Sequence, residues 1–280
     1  MLHVKRMCAE DFLFAVQLAN TMNWNMAIED FEFATQLEPN GCFVLFSNDE
    51  RIGIATSVSY GEVGWFGNFV IKESFRQKNA GALLLQHSIA YLKRSGATTI
   101  GLYAYPQLTG YYNRFGFKSD ATYSVFQGKV TKQLSHSQPQ LKKIEKQDIA
   151  AIMAFDNRYF HGCREKLLSP ILKEKGNVGY ITLDEQGISG YCTATVYSNA
   201  AAIGPLMSRK NTDSAVPLLQ IVLGKLEKYD VFACAPTEEN ALIEILIKSG
   251  LQEQFRVTRM FLGPPITENC IYMPESLERG

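Results

Sequence analysis

The chain has 280 residues, 46% of them hydrophobic and 20% charged, with 28 basic and 28 acidic side chains that cancel. Such a chain is expected to be a soluble globular protein of one large or two ordinary domains. The balanced charge gives no footprint for nucleic acid or an anionic membrane, and no apolar stretch reaches the roughly 20 residues that span a bilayer.

Strand and helix patterns alternate from the first residues. Residues 2–6 read as a strand and 9–20 as a helix with Phe12, Val16 and Leu18 or Ala19 inward. A second helix over 28–37 is broken by Pro39-Asn40-Gly41. Strands over 42–46 and 52–59 form a hairpin around Asn48-Asp49-Glu50, and 63–71 is the next strand. That strand enters a basic turn, Arg76-Gln77-Lys78-Asn79-Ala80-Gly81-Ala82, and a helix over 80–95 with Leu83, Leu84, Ile89 and Leu92 on its apolar side. A strand over 98–103, a short helix near Tyr111-Tyr112 and a closing strand complete the first half. Residues 130–140 are polar and lack an apolar period, as a linker would.

From Leu141 the pattern repeats. Strands are expected over 142–145, 178–183, 189–197, 201–207 and 229–234, and helices over 148–155, 164–172, 216–226 and 240–248. Asp184-Glu185-Gln186-Gly187 mirrors the earlier hairpin, and Ser249-Gly250-Leu251 stands where Phe115-Gly116-Phe117 stands in the first half. A period of about half the chain marks a duplication rather than a solenoid. The fold class is therefore α/β with a mixed sheet, in two tandem modules over 1–129 and 141–280.

A tight turn that opens a helix leaves several backbone N–H groups without intrahelical partners, and the helix dipole adds positive potential there. Such a site suits a pyrophosphate. The three-glycine Rossmann loop and the P-loop are both absent. Arg76-x-x-Asn79-x-Gly81 instead resembles the R/Q-x-x-G-x-G/A signature of the GCN5-related N-acetyltransferases (GNAT). Leu108-Thr109-Gly110-Tyr111-Tyr112-Asn113-Arg114-Phe115-Gly116-Phe117 resembles the family's second signature, a short helix ending in L-Y-x-x-x-G-F. Met22-Asn23-Trp24-Asn25 is similar to the M-x-W-N segment of a tandem subgroup.

The resemblance implies two GNAT-like domains, each a twisted, mostly antiparallel sheet flanked by helices, and acetyl-CoA as acyl donor. It implies that the main chain of Phe69, Val70 and Ile71 pairs with the pantetheine arm, and that Arg76, Gln77, Lys78, Asn79, Ala80, Gly81 and Ala82 wrap the pyrophosphate. Asn79 replaces the usual glycine, and Asn is the residue besides Gly most at ease with positive φ. Tyr112 is the implied general acid for the leaving thiolate, against the plain alternative of a packing aromatic. Glu62, at the start of the cofactor strand, is a candidate base. Trp24, Asn25 and Tyr60 are candidates for the acceptor pocket.

The expected reaction moves an acetyl group to a primary amine of a small molecule or an amino terminus. The alternative is an acyl-CoA sensor or protein-interaction module without turnover. In the second copy the phosphate turn falls on 208–215 without a glycine, and Leu246 stands for Tyr112, so this module is expected to bind cofactor poorly. Its Asp156-to-Arg164 segment could read an anionic acceptor through Arg158 and Arg164, or form an interdomain salt-bridge cluster. Six scattered cysteines without a C-x-x-C pair or clustered histidine give no expected zinc site. No signal-peptide pattern opens the chain, so cytoplasmic residence is expected. The oligomeric state stays open between monomer and homodimer.

Overall fold

A computed structural model describes residues 1–76, 78–131, 141–210, 214–267 and 269–280. Most of the linker expected over 130–140 lies outside these residues. In chain order the elements are β1 (Leu2–Arg6), α1 (Phe12–Asn20), α2 (Ile28–Leu37), β2 (Cys42–Ser47), β3 (Glu50–Ser59), β4 (Val63–Ile71), α3 (Ala80–Arg94), β5 (Thr99–Ala104), α4 (Thr109–Asn113) and β6 (Lys118–Lys129). There follow β7 (Leu141–Lys143), α5 (Ile149–Phe160), α6 (Glu165–Lys173), β8 (Val178–Asp184), β9 (Gly187–Val196), β10 (Ala200–Arg209), α7 (Ala215–Leu223), β11 (Asp230–Pro236), α8 (Asn240–Lys248), β12 (Gln252–Leu262) and β13 (Cys270–Met273). Among the described residues no helix is long and apolar enough to cross a membrane.

Contacts divide the chain into a unit of residues 1–102 with Arg279 and a unit of 103–278 with Gly280. The division falls inside β5 and not at the polar segment that separates the sequence repeats. The reason is β6. It closes the first repeat in sequence, yet it pairs antiparallel with β11 and β12 of the second.

In the first unit the strand order is β1-β2-β3-β4-β5. β2 is buried along almost its whole length because both faces of the sheet are covered. Cys42, Val44 and Phe46 join Ile54 and Val70 beneath Phe12, Ala15 and Phe31 of α1 and α2. Phe43 points the other way, edge-on to His87 and Tyr91 of α3. On that side α3 lies close enough that a Cβ at Gly64 would meet Leu92 at 2.9 Å. The buried stripe of α3 is Ala80, Leu84, Leu85, Ser88 and Leu92, while Leu83, expected inward, is 37% exposed.

The second unit orders its strands β12-β6-β11-β10-β9-β8-β7, with β13 also on β10. α7 and α8 pack on it through Leu218, Leu219, Val222, Leu242 and Leu246. A fully buried ion pair ties its helices to its sheet. Arg164 Nε and Nη2 donate to the two carboxylate oxygens of Asp156 at 3.1 and 2.5 Å. Arg164 Nη1 donates to the Tyr272 hydroxyl at 2.7 Å and to the Gly280 carbonyl at 2.9 Å. Of the two roles open for Arg164 in the sequence, the structure shows the salt bridge, but within this one unit rather than between domains, and the enclosed guanidinium is not presented to an acceptor.

Two outcomes follow from these ion pairs. Arg164→Met should cost about 3–5 kcal/mol, because Asp156 would keep a buried, uncompensated charge; a urea midpoint close to that of the wild type would refute this. In the first unit, burial acts to raise the Asp11 pKa, but the Cys8 N–H and Arg51 outweigh it and the net shift is downward. A lowered folded pKa gives stability that is complete above the ordinary carboxylate pKa of about 4 and fades as pH falls through the folded value. The Tm advantage of wild type over Asp11→Asn should therefore be full at neutral pH and shrink below about pH 4.

Candidate functional site

β4 runs parallel to β5 for only three pairs, Val63 with Thr99, Gly64 with Ile100 and Trp65 with Gly101. Its antiparallel ladder with β3 continues to Ile71. Between Gly67 and Val70 the register slips, so that three residues of β4 span two of β3. Asn68 makes this bulge by taking a left-handed φ of 48°. Its Nδ2 donates to Thr56 Oγ1 at 3.3 Å, and among the described residues its buried Oδ1 has no hydrogen-bond partner. Beyond Trp65 the outer edge of β4 thus carries main-chain groups for which, among the described residues, the ladder with β5 supplies no partner. Phe69, Val70 and Ile71 lie on this stretch. The Val70 and Ile71 side chains are core, and Phe69 is half-buried against Phe66.

The turn that follows folds back on the strand. Arg76 Nε donates to the Ile71 carbonyl at 3.1 Å, and its Nη2 reaches Met22 Sδ at 3.7 Å. Lys78 is exposed, with its Nζ 5.5 Å from the Phe75 ring centre. Gln77 lies outside the described residues. Asn79 has φ 57°, and its carbonyl accepts the first intrahelical bond, from Leu83 N–H at 3.1 Å. The N–H groups of Ala80, Gly81 and Ala82 precede that bond, the Asn79 side chain does not cap them, and the first turn holds no acidic residue. A long helix therefore opens with a row of donors and a positive dipole end.

Arg76 also brings in the M-x-W-N segment. Asn20 clamps that loop through two bonds to the Met26 main chain. Asn23 and Asn25 take left-handed φ of 58° and 53°. Trp24 packs with Phe14, Met22 and Met26 on the α1/α2 cluster, and Asn25 is exposed. Tyr60 is buried, and its hydroxyl donates to the Arg279 carbonyl at 2.9 Å. Glu62 is exposed and precedes β4, at the opposite end of the strand from Asn79. At roughly 3.3 Å per residue it stands about 13 Å before Phe66, where the β4–β5 ladder has ended. The structure does not bring it to the turn.

Tyr112 lies in the second unit, on α4. It is buried, in ring contact with Tyr111 and Phe117. Burial first, and the neighbouring Tyr111 second, push its pKa far above the ordinary tyrosine value. The Tyr-x-x-x-Gly-Phe spacing is a helix cap: Phe117 N–H returns to the Tyr112 carbonyl, and Gly116 takes φ 89°. The second copy keeps the same cap, with Leu251 N–H on the Leu246 carbonyl and Gly250 at φ 106°. What it lacks is the hydroxyl.

Sequence reasoning missed Asn68. The available signal was one amide, next to glycine, inside an apolar strand. A test of the turn follows from the Asn79 backbone. Asn79→Gly should leave the urea midpoint nearly unchanged, whereas Asn79→Val should lose about 1–2 kcal/mol to the left-handed conformation. Equal midpoints for the two variants would contradict the turn described.

Comparison with known proteins gives the family and the fold. Residues 11–117 match the family described as "Acetyltransferase (GNAT) family", and residues 152–272 match that described as "Acetyltransferase (GNAT) domain". Holothin acyltransferase of Pseudoalteromonas sp. (strain SANK 73390) is 23% identical over 278 residues, covering 97% of this chain and 92% of its own. A candidate acetyltransferase from Pyrococcus horikoshii has a similar fold, with a TM-score of 0.80 at 18% identity over 100% of this chain and 96% of that one. So does a tandem GNAT protein from the clavulanic acid biosynthesis pathway, with a TM-score of 0.61 at 11% identity over 95% and 100% of the two chains. GNAT enzymes draw their acyl group from acyl-CoA. The two family matches fall on the two halves of the duplicated sequence, and the chain is thus a tandem GNAT acyltransferase.

Proposed function

We propose that the chain transfers an acetyl group from acetyl-CoA to a primary amine, with the donor held by the first half. The observation that carries this reading is the parting of β4 from β5 after Trp65, directly upstream of the uncapped start of α3. An acyl-pantetheine arm has amides that can pair with the outer edge of β4 over Phe69 to Ile71 as an added strand would. Its pyrophosphate then meets the N–H groups of Ala80, Gly81 and Ala82. Arg76 supports the turn, since its Nε is already committed to the Ile71 carbonyl.

The nitrogen lone pair of the acceptor attacks the thioester carbonyl, the carbon–sulfur bond breaks, and the thiolate needs a proton. Tyr112 is the residue assigned to give it. Its hydroxyl is protonated and so has a proton to give, and the burial that raises its pKa would have to be offset by the negative charge developing on sulfur. The proton lost by the amine restores the balance through solvent. Glu62 is assigned no step in this scheme; neutral amine is drawn from bulk solution. Trp24 and Asn25 are assigned to the acceptor side through their loop's contact with Arg76. Tyr60 acts there as a buried support rather than as a ligand. The name of the Pseudoalteromonas relative makes holothin the first acceptor to try.

Coenzyme A at a hundredfold over its Kd should add about 2.7 kcal/mol, a rise of roughly 5 °C in Tm. An unshifted Tm would end the proposal. Tyr112→Phe should keep that shift and lower thiol release with an amine panel about a hundredfold. Full turnover in that variant would remove Tyr112 from its role. A shift in the wild type with no thiol release would favour the sensor reading instead.

A further inference from the structure

β10 is the second copy of β4, and it repeats the features of its predecessor. It runs parallel to the next strand for four pairs, Ala200 with Asp230 through Ile203 with Ala233. It then slips register against the preceding strand between Ile203 and Leu206, three residues against two, as β4 does between Gly67 and Val70. The bulges superimpose Gly204 on Asn68, Leu206 on Val70 and Met207 on Ile71. The outer edge of β10 beyond its bulge is therefore the counterpart of the edge assigned to pantetheine in the first half.

That edge is already paired. β13 runs antiparallel along it, Leu206 opposite Met273, Met207 opposite Tyr272, Ser208 opposite Ile271 and Arg209 opposite Cys270. The segment fits closely at the bulge, where a Cβ on Gly204 would lie 2.0 Å from the Pro274 carbonyl oxygen. Its side chains are anchored. Met273 is fully buried in the core cluster beside Leu206, Cys192 and Ala194. Tyr272 is 2% exposed and accepts a hydrogen bond from the buried Arg164. Cys270 N–H is tied to the Thr267 carbonyl.

We infer that β13 is a built-in occupant of the pantetheine slot of the second module, a peptide strand in the place of an acyl carrier, and that one chain therefore takes one acyl-CoA. This rests on the reading of β4 given above. A pantetheine arm entering the second module would have to displace a four-residue ladder together with the burial of Met273 and the Arg164 tether. The same strand explains why the second copy can lose its glycine turn and its tyrosine hydroxyl without losing its fold.

Hydrogen exchange on the full chain, with and without coenzyme A, tests this. Amides over 206–209 and 270–273 should exchange slowly in the free protein and be unchanged by coenzyme A, with a binding stoichiometry of one. Fast exchange over 206–209 in the free protein, slowing there when coenzyme A is added, or a stoichiometry of two would each overturn the inference. Amides over 66–71 report separately: they should slow on addition of coenzyme A, and their failure to do so would count against the cofactor reading while leaving the 206–209 result to decide this one.

Discussion

A backbone amide or carbonyl drawn away from water must find a partner, and a strand that leaves its neighbour creates a row of them. In this protein both β4 and β10 part from their parallel neighbours after three or four pairs, and both bulge at that point. The bulge re-aims the strand and separates the two edges. Everything distinctive about each half follows from what meets the exposed edge. In the first half it leads into a left-handed Asn79 and an uncapped helix start. In the second it is closed by a segment of the same chain.

The comparison of the two halves also separates structural from chemical roles within one motif. Tyr112-x-x-x-Gly116-Phe117 and Leu246-x-x-x-Gly250-Leu251 make the same main-chain cap. The glycine is required by its positive φ in both copies. The side chain at the head of the motif is free of that constraint, and there a hydroxyl in one copy is replaced by an aliphatic side chain in the other. A duplicated fold can thus preserve its architecture while one copy carries a tyrosine and the other a leucine at the same buried position.

Much of this was legible in the sequence because it is local. Strand and helix periods, the repeat, and the tolerance of Asn79 for a left-handed conformation depend on residues a few positions apart. On α3 the expected Leu84 and Leu92 are buried, but Leu85 takes the inward place expected of Leu83, since the three leucines are equally apolar and only packing selects among them. Glu62 stands at the start of β4, as its place in the sequence implies, because a strand's order is local. The role of Arg164 could not be decided, because its partners Tyr272 and Gly280 lie more than a hundred residues away. The destination of β13 and the partners of β6 are likewise nonlocal pairings, on which no short pattern bears.

The placement of β6 has a consequence during synthesis. Its two partner strands, β11 and β12, lie roughly a hundred residues downstream, which at ribosomal speeds means on the order of 5–20 s of delay. During that interval a twelve-residue strand has both edges bare. Lys118, Asp120 and Lys129 near its ends are the kind of charges that deter intermolecular pairing. The nascent amino half is accordingly an unfinished object, and the ribosome must deliver the carboxyl half before β6 is sealed.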